Sequence, residues 1–351
     1  MGFVRAAGKN LRLFAYDGVE RVRGIKSMGW KELYRPVVVR IVLGCSLTAF
    51  LIVSAWSADI TTPTTPPTTE PAEPKLQSSD VIFYQHFDNS RVGPYKTLHG
   101  DWKHLSEVTP GGGQFSQRLT IVEGPEAFKG RSMRLLCPKG TASGPMAGGA
   151  CWFVDLGKGN QEMYCSYMVK FNSKFEFSQG GKLPGLSGGV FPSPGKGAQQ
   201  NGWCAVILWN AGWRHSISNY VYHLDQKDKY GDFFWWDNKG KTVAFQPGVW
   251  MHVETHVKMN SAPDKHDGII QDWANGQLVL DRQDVRWRNT NSVGVDKFVF
   301  TVFFGGSGPG YESKKDEYIY FDNFVISRKR AGPPPAFRGQ ESTLTAGKAD
   351  N

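Results

Sequence analysis

The chain has 351 residues, long enough for one large domain or two ordinary ones, with 41 Lys and Arg against 32 Asp and Glu and a formal charge of +9. That charge argues for nucleic acid only if the folded part carries it. Residues 1–58 hold nine basic and three acidic side chains, the tail from Arg328 holds five and two, and the 27 of each sign between them cancel, so nucleic-acid binding loses its main support.

Residues 1–36 form a basic arm containing Arg5, Lys9, Arg12, Arg21, Arg23, Lys26, Lys31 and Arg35. Residues 37–58, VVVRIVLGCSLTAFLIVSAWSA, are the only long apolar run and carry no charge from Ile41 to Trp56. This predicts a transmembrane signal anchor or a cleavable signal peptide. The next cation is Lys75, so the positive-inside bias sends the C-terminal bulk outward, giving a membrane-anchored protein with an extracytoplasmic domain, or a secreted one. A buried core helix fits poorly, because nothing foldable surrounds the run. VLGC has the look of a lipoprotein cleavage site, yet the apolar stretch continues past Cys45. Residues 59–79, with the Pro/Thr tract ITTPTTPPTTEPAEP, read as a stiff extended linker.

From residue 80 to 327 strand follows strand, with turn residues between and no convincing amphipathic helix. MHVETHVKMN alternates: Met251, Val253, Thr255, Val257 and Met259 face one way and His252, Glu254, His256, Lys258 and Asn260 the other, which predicts a half-exposed antiparallel strand. EMYCSYMVKF, KFVFTVFF and EYIYFDNFVIS are apolar on both faces, as where two sheets stack or a concave face binds something. The expected fold is all-β, a jelly-roll β-sandwich (concanavalin-like), preceded by the transmembrane or signal segment. Cys137, Cys151, Cys165 and Cys204 permit two disulfides in three pairings or serve as buried thiols; no spacing indicates zinc. Residues 328–351 read as a disordered tail.

Within this region GGKLPGLSGG (Gly180–Gly189) fixes Lys182 in a constrained, glycine-rich loop, and NYVYHLDQ places Tyr220 and Tyr222 on one face of a strand, roughly 7 Å apart. The order FEFSQGGKLPGLSGG, WCAVILW, YVYHLDQKDKYGD, W-x-H-V, DGIIQDWANG, YFDNFVIS resembles polysaccharide lyase family 14, the alginate and glucuronan lyases of jelly-roll fold, over roughly residues 160–327. The resemblance implies that Lys182, Tyr220 and Tyr222 occupy catalytic positions and that the substrate is a β-1,4-linked polyuronate cleaved by β-elimination.

The chemistry fits those residue types. Removing the C5 proton of a uronate builds charge next to an existing carboxylate, and a fixed ammonium offsets it. A base must take the proton and an acid must protonate the departing glycosidic oxygen; tyrosine can do either, its high pKa eased by a neighbouring cation. The mechanism requires no metal or other cofactor. Read alone, a lysine in such a loop is solvated and Tyr-x-Tyr in a strand is packing; the joint order is what lifts them.

One departure stands out. The family carries Ser-x-Arg on the strand matching WCAVILW, its arginine assisting carboxylate binding, whereas this chain reads Cys204-Ala205-Val206. Arg214, His215 and Gln226 are candidates to replace the guanidinium, with Cys204 at the serine position. His223 points to the opposite face from Tyr222. Trp203, Trp209, Trp213, Trp235 and Trp236 either stack on sugar rings or fill the core. Asp267, Asp272 and Asp322 match no calcium-loop spacing. Loss of the arginine also leaves open a non-catalytic carbohydrate-binding protein, while a glycoside hydrolase would need a carboxylate pair that the motif region does not offer.

Overall fold

The computed structural model describes residues 76–96, 98–102, 105–108, 117–192, 194–210, 216–306, 308, 310–337 and 344. The basic arm, the apolar run 37–58, most of the Pro/Thr linker, and Trp213, Arg214 and His215 lie outside them. No helix among the described residues is long and apolar enough to cross a membrane.

Eighteen strands among the described residues are numbered in chain order. One antiparallel sheet has nine: β1 (Val81–Gln85), β2 (Gly93–Pro94), β4 (Leu119–Glu123), β5 (Arg131–Cys137), β7 (Glu162–Phe171), β14 (Met251–Lys258), β15 (Gly268–Ala274), β16 (Gln277–Val285) and β18 (Glu317–Ser327), in the order β16-β15-β14-β7-β18-β5-β4-β2 with β1 also paired to β18. The other has seven, in the order β11-β10-β9-β8-β17-β6-β3: β3 (Leu105–Val108), β6 (Ala150–Asp155), β8 (Gly181–Gly189), β9 (Gly202–Asn210), β10 (Ser216–Tyr222), β11 (Asp232–Trp235) and β17 (Lys297–Phe304). β12 (Asp237–Asn238) and β13 (Lys241–Thr242) make a small hairpin.

The sheets stack as a sandwich. Phe300 of β17 lies flat on Trp152 of β6 at 3.7 Å and meets Phe321 of β18 in the opposite sheet at 5.2 Å, while the Tyr167 hydroxyl of β7 donates to the Pro184 carbonyl of β8 at 3.0 Å. Strand periodicity explains why WCAVILW is apolar throughout. Trp203, Ala205, Ile207 and Trp209 enter the inter-sheet core, and Cys204, Val206 and Leu208 form a second apolar cluster on the opposite face with Tyr220 and Tyr222.

Two expectations change here. Of β14, expected half-exposed, only Lys258 is exposed. The polar face is covered because the chain beyond β18, expected to be disordered, docks over it: the buried Glu254 carboxylate accepts the Ala331 amide at 2.7 Å, and the Arg330 guanidinium lies 4.4 Å over the Trp273 ring. Farther along, Phe337 is buried against Phe128. Of the two histidines that flank Glu254 on this face, His256 is satisfied within the sheet, bonding Glu162 at 2.8 Å and Gln271 at 3.0 Å and stacking on Tyr164. Cys137, Cys165 and Cys204 are buried free thiols and Cys151 is buried too, so of the two cysteine readings the structure takes the buried-thiol one.

Candidate active site

Lys182 sits on a strand rather than in a loop. Gly181–Gly189 is β8, central in its sheet, and its glycines and proline answer to neighbouring backbone and rings. A Cβ on Gly181 would fall 1.9 Å from the Trp209 ring, and one on Gly185 would fall 2.1 Å from the Ala205 carbonyl. Pro184, which cannot donate to a ladder, falls at the register shift between Lys182 and Gly185. That bulge sends Leu183 and Leu186 into the core and leaves Lys182 half-buried on the other face.

β10 supplies the two phenols. Tyr220 pairs with Val206 and Tyr222 with Cys204, all four on the face away from the core. The rings stand edge-on at 5.3 Å and their hydroxyls are 3.3 Å apart. The Lys182 ammonium hangs 4.9 Å over the Tyr220 ring and 5.5 Å from that of Phe303. The cation and both phenols are thus gathered at one place.

The electrostatics separate the two tyrosines. Burial pushes the Lys182 pKa below its ordinary value. Burial raises both phenols, but the hydroxyl–hydroxyl bond lowers Tyr220 and raises Tyr222 further, and the Gly231 backbone opposes the rise in each. Tyr222 therefore holds its proton more firmly than Tyr220. Gly231 also has no room for a side chain, since a Cβ would sit 2.9 Å from the Tyr222 ring.

The substrate-binding candidates fare unevenly. Cys204 lies beside Tyr222, its thiol pushed up to about 12 by burial, so it is neutral at physiological pH. Gln226, expected to reach substrate, is instead buried in the loop after β10: its amide donates to the Asp228 and Tyr230 carbonyls at 3.1 Å each and accepts from the His223 amide at 3.2 Å, which fully engages it in closing the turn. His223 bonds Asp232 at 2.8 Å. Trp203, Trp209 and Trp236 fill the core, whereas Trp235 lies on the tyrosine face, together with Phe233 and Phe303, which sequence reasoning missed. Phe191 packs over the same face, touching both the tyrosine cluster and a smaller one made by Cys151, Phe153 and Val299.

Asn219, immediately before Tyr220, points the other way. Its amide donates to the buried Asp272 carboxyl of β15, which also accepts the Thr255 hydroxyl at 2.5 Å. This polar contact ties β10 to the opposite sheet directly behind the site.

The polysaccharide lyase 14 family profile matches residues 126–324, more than half of the chain. Among solved structures, the alginate lyase Aly36B is similar at 26% identity and a TM-score of 0.60, over 71% of this chain and 97% of that one. The marine PL-14 alginate lyase from Aplysia kurodai has 22% identity and a TM-score of 0.58, over 71% and 99%; alginate lyase vAL-1 from Chlorella virus has 21% and 0.53, over 68% and 99%. A lysine/tyrosine double mutant of Aly36B has been solved with an alginate tetrasaccharide. No curated protein sequence matches the chain.

Proposed function

The chain belongs to polysaccharide lyase family 14, and from that membership we propose that it cleaves a β-1,4-linked polyuronate, alginate or glucuronan, by β-elimination on a jelly-roll sandwich. One observation carries the reading: the Lys182 ammonium 4.9 Å over the Tyr220 ring, with the Tyr222 hydroxyl 3.3 Å from that of Tyr220. A cation and two phenols within one sugar's reach are what the elimination needs.

In this reading Lys182 pairs with the carboxylate of the reacting uronate and offsets the charge that builds as C5 loses its proton. Tyr220, the phenol less opposed to ionisation, takes that proton as phenolate. The electron pair released forms the C4–C5 double bond, the C4–O bond breaks, and Tyr222 gives its proton to the departing glycosidic oxygen. The apolar floor of Cys204, Val206 and Leu208 lowers the local dielectric and strengthens the ammonium's effect. The site would act outside the cytoplasm, on a protein tethered through residues 37–58 or secreted.

Val206, directly across from Tyr220, favours a second reading, a non-catalytic carbohydrate-binding protein, because no guanidinium stands at that position to hold a carboxylate. Incubation with polymannuronate and with glucuronan, followed by ultraviolet absorbance of unsaturated uronate ends, decides between them. New absorbance supports the lyase; saturable binding without it supports the binding protein.

A further inference from the structure

The groups that would act on a polymer are shut in: Tyr222 keeps 2% of its surface exposed and Tyr220 9%, and Cys204 and Val206 beside them are buried as well. Register shows where a cover can sit. Phe153 of β6 pairs with Val299 of β17, Val299 with Gly185 of β8, Gly185 with Val206 of β9, and Val206 with Tyr220. Gly185 alone in this row has no side chain, which leaves a gap between the tyrosine cluster and the cluster of Cys151, Phe153 and Val299. Phe191, two residues past the end of β8, packs against both clusters and meets the Phe153 ring edge-on at 5.3 Å, so its ring closes the gap. It is itself only partly buried. The backbone leading to it is pinned, the Val190 amide donating to the Asn201 carbonyl and the Gly189 amide to the Asp296 carboxylate, each at 2.9 Å. What can move is the ring. Ser187, which pairs with Cys204, is fully buried, and its hydroxyl has no partner among the described residues, so the closed form leaves a polar group unmet.

We propose that Phe191 is the gate of the Lys182–Tyr220–Tyr222 site: a polyuronate enters only when this ring leaves the gap at Gly185, and the ring's own apolar contacts set how often it does. This rests on the polyuronate reading of that site. A ligand that binds only the open form has an apparent dissociation constant equal to its intrinsic one divided by the open fraction. The ring therefore holds affinity down while the site is empty, and it governs access without taking part in the elimination.

The test removes the ring and reads two consequences. The full chain carrying Tyr220→Phe and Tyr222→Phe, which keeps both rings and slows turnover, is titrated calorimetrically with uronate oligosaccharides. Adding Phe191→Ala is expected to tighten binding about three- to tenfold, and Phe191→Leu to tighten it less, as the closed form loses apolar contact. Cys204 and Cys151, one in each cluster that the ring covers, report the opening without any sugar. Their modification by N-ethylmaleimide should accelerate in Phe191→Ala, while that of Cys137 and Cys165, which belong to the inter-sheet core, should not change. Tighter binding together with selective labelling supports the gate. Unchanged or weaker binding, or labelling that quickens at all four thiols, overturns it. If no uronate oligosaccharide binds with or without the ring, the polyuronate reading falls, and the labelling alone then decides the gate: selective acceleration keeps it and its absence removes it.

Discussion

The hydroxyls of Tyr220 and Tyr222 share one hydrogen bond of 3.3 Å, and that bond makes the partnership unequal: burial raises both phenols, but the bond lowers Tyr220 and raises Tyr222, so Tyr222 holds its proton more firmly. Two phenols coupled this way act as a unit in proton transfer. Tyr220→Phe and Tyr222→Phe are each expected to lower kcat about 10²- to 10⁴-fold, and the double variant to fall no further than the worse single one. Steady-state kinetics on polyuronate check this; losses that multiply in the double variant would show that the rings act independently.

The ammonium over Tyr220 makes an opposing pair of titrations. Tyr220 must lose a proton to act as base, and its pKa is raised; Lys182 must keep one, and its pKa is lowered. Activity should therefore rise with pH above neutrality as Tyr220 ionises and fall once Lys182 discharges. Lys182→Ala is expected to lose about 10²- to 10³-fold in kcat together with the falling limb, whereas Lys182→Arg should carry that limb to higher pH. A pH–rate profile of the three proteins tests both limbs.

What the sequence discloses about this site follows the geometry of strands. Tyr220 and Tyr222 are legible as neighbours because a period of two is a local property of the chain. Lys182 is legible as a fixed cation but not as a strand residue, since Gly and Pro signal loops unless a partner such as Trp209 demands close approach and a bulge accommodates the proline. In DFFWW, composition cannot say that Phe233 and Trp235 face the site while Phe234 and Trp236 face the core; only the pairing of β11 with β10 fixes the phase. The cover over β14 was invisible for another reason: it comes from Arg330 to Gly332, more than 70 residues downstream, in a segment whose composition reads as disordered.

That cover makes the early tail part of the fold. Glu254 is fully buried and receives the Ala331 and Gly332 amides, and Arg330 shields Trp273. Ending the chain at Ser327 is expected to leave this carboxyl without donors, at about 1–3 kcal/mol, and to expose the Trp273 ring besides. Chemical denaturation of the truncated and full chains measures the difference. Equal stability would mean that the docked segment contributes nothing.

Behind the tyrosines, Asp272 offers a test that needs no substrate. Burial among core residues raises its pKa from 3.8 to about 8, and Glu254 and Asp322 are raised to about 7 by the same cause. A carboxyl that holds its proton more tightly folded than unfolded stabilises most at low pH and loses that contribution as pH rises between the two values, here from about 4 to about 8 for Asp272. Burial depresses His252 to about 3, which works in the opposite direction and costs stability as pH falls below its ordinary 6.5. Thermal stability should therefore decline from pH 6 to pH 8. Asp272→Asn removes one of the three carboxyls, and its amide can still accept the Thr255 hydroxyl while donating to the Asn219 oxygen, which has no partner among the described residues. The variant is expected to fold and to lose less stability over that range, and an unchanged slope would show that Asp272 is already ionised in the native protein.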